Sequence, residues 1–165
     1  MKKAISFICI FIVMIACASS LDAQTGRGSS SGATLDASML IVKKGQYVQF
    51  SSNCQANLKR AGFTLSYTRN VQLHSVDNDY NDILVTNVEK TYKKGSLLVK
   101  LYFNSMRDSE PNTIEIDFPT QSSRNSFFST LKKLGFTRNG DSYIALYSGM
   151  FVEAEGNRVS IAFTL

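Results

Sequence analysis

The stretch Leu58–Thr64, which reads LKRAGFT, recurs with small changes as Leu131–Thr137, which reads LKKLGFT. Each copy is typical of the last turn of a helix, a glycine that ends it, and a strand that begins with phenylalanine. Basic residues are favourable there because the C-terminal end of a helix carries a partial negative charge. Glycine adopts the left-handed backbone that closes a helix. The sequence therefore predicts two similar helix-to-strand junctions.

The residues around the second copy predict a regular order of elements. Residues 113–118 alternate isoleucine with acidic residues, which is typical of a half-buried strand. A helix capped by Thr120 or Ser122 is expected to follow and to run to Leu134. Asn139-Gly140 then predicts a hairpin. Further strands are expected at 143–147, 151–154 and 159–165.

The first copy has the same kinds of segment around it. Strands are expected at 47–50, 63–67, 83–92 and 97–103. A short helix capped by Ser51 or Ser52 separates the first two strands. This order predicts a two-layer α+β fold, in which one antiparallel sheet carries two helices on one face. We expect two tandem β-α-β-β(-β) repeats, at 46–103 and 113–165.

In its order of elements the chain is similar to tandem αβ-repeat folds such as the β-lactamase inhibitory proteins and the TATA-box-binding saddle. The resemblance implies that a concave face or an edge of the sheet binds another protein. It concerns architecture, and an architecture alone does not define a function.

The start of the sequence has the features of a secretory signal peptide, which we assign to residues 1–23. Two lysines precede an apolar run, and small residues follow it up to Ala23. The run is shorter than the roughly 20 residues of a membrane-spanning helix, which disfavours an uncleaved anchor. Two other routes stay open: cleavage after Ala18, and lipoprotein processing at Cys17, where Ile15-Ala16-Cys17 resembles the end of a lipobox.

Residues 24–38 are rich in glycine and serine, which predicts a flexible linker before a single α+β domain at 39–165. The expected location is the periplasm or the secreted fraction, or the membrane surface if Cys17 is lipidated. The formal net charge of +5 favours an acidic protein or an anionic envelope polymer as the partner. Nucleic acid is disfavoured because the chain has no dense stripe of lysine and arginine.

Only Cys54 remains of the three cysteines after cleavage at Ala23, so no internal disulfide is expected. Cys54 aligns with the core-facing Phe127 when the two copies are superposed, which predicts a buried structural thiol. The alternative is a small envelope hydrolase or thiol enzyme that uses Cys54 with His74, the sole histidine. Too few ligands remain for a zinc site, and we expect no cofactor.

Two polar segments are the candidate binding sites. The first is an acidic segment with carboxylates at Asp77, Asp79 and Asp82. It lacks the glycine and glutamate that an EF-hand loop needs, so a solvated turn is the main alternative to calcium binding. The second is a hairpin that interleaves lysines and tyrosines, at Lys90, Tyr92, Lys93, Lys94, Lys100 and Tyr102. These lysines would dock a polyanion or a protein, or protect an exposed sheet edge from aggregation.

No set of residues in the sequence converges as an active site must. The sequence therefore predicts an exported, non-catalytic binding module that works through the open face or the edge of its sheet. Two alternatives stay open: the thiol enzyme described above, and a lipid-tethered envelope assembly factor acylated at Cys17.

The processing route predicts the mass of the exported protein. We expect the protein recovered from an envelope fraction to begin at Gln24 and to carry no acyl chain, because cleavage after Ala23 removes Cys17. Intact-mass spectrometry of the processed protein measures this. A mass that includes acyl chains on Cys17 would show that the lipoprotein route is used instead.

Overall fold

The computed structural model describes residues 33–76, 81–104 and 109–163. A 3-10 helix at Ala37–Met39 comes first in these ranges. Two α-helices follow, α1 at Cys54–Arg60 and α2 at Gln121–Lys133. The strands are β1 Ile41–Lys44, β2 Tyr47–Phe50, β3 Thr64–Val76, β4 Asp82–Lys94, β5 Leu97–Asn104, β6 Thr113–Asp117, β7 Thr137–Asn139, β8 Ser142–Ala145, β9 Met150–Glu155 and β10 Arg158–Phe163. None of the described helices has the length and apolar character that crossing a membrane requires.

The large sheet of the fold consists of two meanders that meet at its centre. Its order is β3-β4-β5-β6-β10-β9-β8-β7, and β1 and β2 form a separate two-stranded sheet. All the pairings are antiparallel. Each meander follows a helix, and the last strands of the two meanders, β6 and β10, pair with each other. This pairing lies within the second half of the chain, and the pairing of β5 with β6 joins the two halves into one sheet.

One face of the large sheet forms the core together with both helices. Val99, Ile116 and Val159 lie in one row across β5, β6 and β10, and all three are buried. The hydroxyl of Tyr92 in β4 donates to Gln55 of α1, at 3.0 Å. The ring of Tyr143 in β8 stacks on Phe128 of α2, with centroids 4.8 Å apart. The two-layer α+β fold is therefore confirmed.

Both helix-to-strand junctions have the predicted geometry. Gly62 and Gly135 have φ angles of +86° and +98°, in the left-handed region that favours glycine. The amide of Phe63 donates to Leu58 O, at 3.0 Å, and the amide of Phe136 donates to Leu131 O, at 3.3 Å. Bonds of this span close a helix in the Schellman motif. Both phenylalanines are buried, as the sequence predicted.

The halves differ in the strand that precedes each helix. β2, before α1, pairs with β1 in the small sheet, whereas β6, before α2, lies at the centre of the large sheet. The small sheet packs on the helix side, where the ring of Phe50 meets Phe163 edge-on at 5.3 Å. The assignment of two tandem repeats stays a prediction.

The N-terminal caps were predicted correctly for one helix only. Thr120 caps α2, and its hydroxyl accepts the Ser123 amide at 3.2 Å. The prediction that Ser51 or Ser52 caps α1 was wrong, because Asn53 holds that position without a side-chain hydrogen bond. Ser51 instead accepts the amide of Asn53, at 3.2 Å, just before the helix.

The folded domain begins before residue 39, where the linker was predicted to end. Leu35 and Ala37 are buried in the core. The amide of Ala37 donates to Thr130 Oγ1 on α2, at 2.9 Å, and Asn57 of α1 donates to Met39 O, at 3.0 Å. The 3-10 helix therefore bridges both α-helices. Its few apolar residues carry no periodicity from which the sequence could have predicted this.

Candidate functional site: the open face of the sheet

The face of the sheet opposite the helices carries a polar cluster. Register places Arg69, Glu89 and Tyr102 side by side on β3, β4 and β5. In the next rows Lys100 lies opposite Glu115, and Asp117 lies opposite Arg158. These positions alternate with core residues along each strand, so their side chains point away from the helices. We call these seven residues the open-face network.

Three members of the open-face network are almost inaccessible to water. Glu89 is 1% exposed, and Tyr102 and Glu115 are each 3% exposed. The solvated face of an antiparallel sheet ordinarily carries exposed polar residues. A buried carboxylate is costly unless charges and hydrogen bonds compensate it. The network therefore has to provide a partner for each buried acid.

Glu89 is held by donors from two strands. Arg69 Nε and Nη2 donate to Glu89 Oε2, at 3.0 and 2.8 Å. The hydroxyl of Thr91 donates to Glu89 Oε1, at 2.8 Å. Burial alone would raise the pKa of Glu89, but hydrogen bonds from Arg69, Thr91 and Tyr67 outweigh it and lower the pKa below its usual value. Glu89 is therefore a fixed anion at neutral pH.

Glu115 and Asp117 share Lys100. Its ammonium lies 3.5 Å from Glu115 Oε2 and 3.3 Å from Asp117 Oδ2. The hydroxyl of Tyr102 donates to Glu115 Oε2, at 3.0 Å, and Arg158 Nε donates to Asp117 Oδ1, at 2.7 Å. Each acid therefore has two donors, one of them Lys100.

The same contacts set the protonation states of Asp117 and Tyr102. Burial opposes ionisation of Asp117, but Arg158 and Lys100 outweigh burial and lower its pKa. Burial, with Glu115 and Glu89 nearby, raises the pKa of Tyr102 well above its usual value. Tyr102 thus stays a hydrogen-bond donor and Asp117 stays an anion, so these groups are suited to holding charge in place.

The solvent-facing layer of the network is cationic. The side chains of Arg69 and Arg158 are 59% and 42% exposed, whereas the acids that they pair with lie below them. Four strand spacings, about 19 Å, separate β3 from β10, and Arg158 lies four residues along β10 from the row of Arg69, so the two arginines are about 23 Å apart. The exposed ring of Tyr67 lies 5.5 Å from the Arg69 guanidinium. The open face thus presents separated cations and an aromatic ring above fixed carboxylates.

The lysines of the predicted hairpin site do not form one patch. Lys90 lies on the helix side, with its ammonium 4.8 Å from the centre of the Phe103 ring. Lys94 is on the same side and donates to Ala61 O at the end of α1, at 2.7 Å. Lys93 and Lys100 point to the open face instead. The hairpin lies inside the sheet rather than at its edge, so its lysines do not protect an edge.

Both tyrosines of that hairpin are buried. Tyr92 is 1% exposed and packs in the core on the helix side, opposite Val99. Tyr102 is on the open face but is buried against Glu115. Neither ring is accessible to a ligand.

The acidic segment is described only in part. Asp77, Asp79 and Cys17 lie outside the described residues, so calcium binding and lipidation stay predictions. Asp82 begins β4, where its backbone pairs with Val76. Within the described ranges, no three His, Cys, Asp or Glu side chains are close enough to hold a metal ion.

The thiol of Cys54 is buried, as predicted. Cys54 has no exposed surface and belongs to the core cluster with Leu58. Burial raises the pKa of this thiol to about 11, despite opposing contributions from backbone amides at the start of α1. His74 lies in β3 with its backbone opposite Leu84. Since a nucleophilic cysteine must be an accessible thiolate, this environment does not suit a catalytic role.

A shallow groove lies elsewhere, between the β1–β2 turn and the end of α2. Its volume is about 260 Å³, and its lining includes Lys43, Leu134 and Tyr147. Small-molecule sites are typically larger, roughly 300–1,000 Å³, and hold several convergent polar groups. The groove offers Lys43 as its charged group, so the open-face network has more of the chemistry that recognition requires.

The sequence indicated this network only weakly. Glu115 and Asp117 were visible as the polar side of a half-buried strand, but their partners are distant in the chain. Arg158 lies 41 residues from Asp117, and Arg69 lies 20 residues from Glu89. Strand register brings these groups together, and alternation along one strand cannot predict it.

No protein-family model matches the chain, and no curated protein or solved structure matches it either. The similarity in element order to tandem αβ-repeat folds therefore supplies no functional assignment. The open-face network is therefore the feature of the molecule that bears on function.

Burial predicts that native Cys54 resists alkylation. At pH 8 we expect iodoacetamide to modify it at least about 100-fold more slowly than in the unfolded chain, because the higher pKa alone lowers the thiolate fraction by about that factor. Peptide mapping by mass spectrometry measures the rate. An exposed cysteine introduced on α2 by Ser126→Cys is the control. Modification of both cysteines at similar rates would restore the thiol-enzyme alternative.

The lowered pKa of Glu89 predicts acid-dependent stability. Glu89→Gln should lower the free energy of unfolding at pH 7 by about 2 kcal/mol, since it weakens hydrogen bonds to a charged group. The native pKa lies below the unfolded one, so this contribution is complete above the unfolded pKa, about 4.3, and is lost as pH falls through the native pKa. The difference between the two proteins should therefore shrink in acid.

Urea denaturation at a series of pH values measures this difference. The exposed Glu153 provides a matched control, and Glu153→Gln should leave stability within about 0.5 kcal/mol of the parent protein at every pH. An equal loss of stability from Glu89→Gln at pH 7 and pH 3 would show that the Glu89 charge contributes nothing.

Proposed function

We propose that this protein is an exported, non-catalytic binding module that recognises an acidic surface of another protein through the open face of its sheet. The observation that carries the proposal is the layered arrangement of the open-face network. The exposed guanidinium group of Arg69 lies above the buried Glu89, and that of Arg158 pairs with Asp117, a half-buried carboxylate that Lys100 also holds.

The Arg69 guanidinium group is preorganised for binding. A buried ion pair is a weak source of stability, because desolvation of the charges offsets most of their attraction. The same fixed geometry is useful for recognition, since a guanidinium group already held by a carboxylate loses little freedom when a ligand binds. Arg69 is held in this way by two hydrogen bonds to Glu89.

The composition of the face supports an acidic protein as the partner. The exposed arginines can form bidentate bonds with carboxylates. Tyr67 is large and exposed beside Arg69, and tyrosine and arginine are enriched at the centres of protein interfaces. A site for a polyanion needs only closely spaced cations, whereas this face combines separated cations with an exposed aromatic ring. Its dimensions, about 23 Å between the two arginines, also suit a broad partner.

Export is part of the proposal and is supported by the signal-peptide pattern of residues 1–23. The resulting location is the periplasm or the secreted fraction, and acylation at Cys17 would tether the same module to a membrane. Burial of Cys54 favours the binding module over the thiol enzyme.

Site-specific photo-crosslinking tests the proposal in producing cells. A photoreactive phenylalanine analogue in place of Ser160, beside Glu115 on the open face, should form an adduct with a second, acidic protein. The same analogue in place of Ser126, on the outer surface of α2, should not. Adducts are detected by their shift on electrophoresis and are identified by mass spectrometry.

Arginine variants show whether charge drives the contact. Arg158→Ala should reduce the Ser160 adduct at least about tenfold, the effect of losing about 1.4 kcal/mol of binding free energy. Arg138→Ala, at an exposed arginine of β7, should not reduce it. Equal adducts from positions 160 and 126 would contradict the proposal. Loss of the protein adduct together with binding to an anionic polysaccharide would show that the partner is a polymer.

A further inference from the structure

The two edges of the large sheet are very different. β7 forms one edge and has three residues, whereas β3 forms the other and has thirteen. At about 3.4 Å per residue, β3 is about 44 Å long. Within the described part of the chain, β3 pairs with β4 alone, and residues 64–70 are all exposed. A long row of backbone donors and acceptors therefore faces outward along β3.

β3 lacks most of the features that protect an edge from pairing. Proteins commonly use lysine, proline, bulges or a very short strand for this purpose. From Thr64 to Val76 there is no lysine and no proline, and Arg69 is the one basic residue besides His74. A bulge is present, but it lies near the start, between Leu65 and Tyr67. The lysines of this region are on the neighbouring interior strand β4.

We propose that β3 pairs antiparallel with β3 of a second copy of this chain, about a two-fold axis at Asn70. Backbone groups along a strand edge are satisfied by another strand. A two-fold interface needs one surface that complements itself. The β3 edge meets this requirement, since its middle residue is small and polar and its only arginine lies off the axis.

The register follows from length and charge. Pairing about Asn70 matches residues 67–73 of the two copies face to face, and the bulge between Leu65 and Tyr67 ends the match towards Thr64. On the open face it places Tyr67 opposite Leu73 and Arg69 opposite Val71. A shift of the axis to residue 69 would place the two Arg69 side chains opposite each other, which is unfavourable. A shift by one residue in the pairing would place open-face side chains against helix-side ones.

The ion pair with Glu89 lowers the remaining electrostatic cost. Each Arg69 stays neutralised by the buried Glu89 of its own chain, at 2.8 Å. Pairing would join the two sheets edge to edge and make their open faces continuous. This inference rests on the edge of the sheet and does not depend on the proposed function.

Cysteine cross-linking tests the proposed register. In antiparallel strands, residues directly opposite each other have Cβ atoms about 4.5–5.5 Å apart. Asn70→Cys should therefore form an intermolecular disulfide under mild oxidation. Thr68→Cys is the matched control, because it is also exposed on the helix side of β3. The two residues 68 would lie four positions apart along the paired strands, about 13 Å, and should not react.

Sedimentation of the processed protein tests the association itself. The expected result is a dimer at micromolar concentration. Val71→Lys, which places a lysine opposite Arg69 of the second copy, should raise the dimer dissociation constant at least about tenfold. Thr137→Lys, on the opposite edge strand, should leave it unchanged. A monomeric parent protein, or equal cross-linking of the residue 68 and residue 70 variants, would overturn the inference.

Discussion

The pairing of β6 with β10 is the contact on which both faces of the sheet depend. It joins the last strands of the two meanders, which are also the first and last strands of the second half of the chain. On the helix side it aligns Ile116 with Val159 in the buried core. On the open side it aligns Asp117 with Arg158. Since successive side chains alternate between faces, one ladder sets the register of the core and of the charged site together.

This shared register restricts how the open-face network can vary. Sliding β10 by one residue would turn Val159 and Ile161 to the open face and bring Arg158 into the core. Burial of the apolar side chains therefore sets the register of β6 and β10. The polar side chains are positioned by the same register, so no further backbone entropy is lost in placing them. Glu115 and Asp117 can then be held at fixed positions, even though buried ion pairs contribute little net stability.

Local signals in the sequence were sufficient for the junctions and for the fold class. Gly62 and Gly135 were identifiable because a left-handed residue after basic residues is typical of a helix end. Phe63 and Phe136 follow from the same motif. The length of β3 was not predictable, since residues 68–76 alternate only weakly between polar and apolar side chains and lie outside the predicted strand at 63–67. Its extent is set by pairing with β4.

The placement of the charged hairpin shows a different limit. Lys90 and Lys94 lie on the helix side of β4, and Lys93 lies on the open face. From sequence all three are expected at the surface, because a lysine ammonium can reach solvent from either face. Tyr92 was predicted to be a binding residue, whereas its ring fills the core and only its hydroxyl needs a polar partner, Gln55. Alternation assigns side chains to two faces, but it does not say which face is covered by helices.

Strand β3 connects the recognition surface with the edge of the sheet. It carries Arg69 and Tyr67 on the open face, and its backbone forms the long exposed edge. An edge strand paired on one side only is held by half the usual number of backbone hydrogen bonds. The two bonds from Arg69 to the buried Glu89 therefore do more than place a cation, since they fasten the middle of β3 to β4. A side-chain link of this kind stabilises the shape of a surface at an open edge. This is a physical reason for a buried carboxylate, Glu89, on the strand next to the edge.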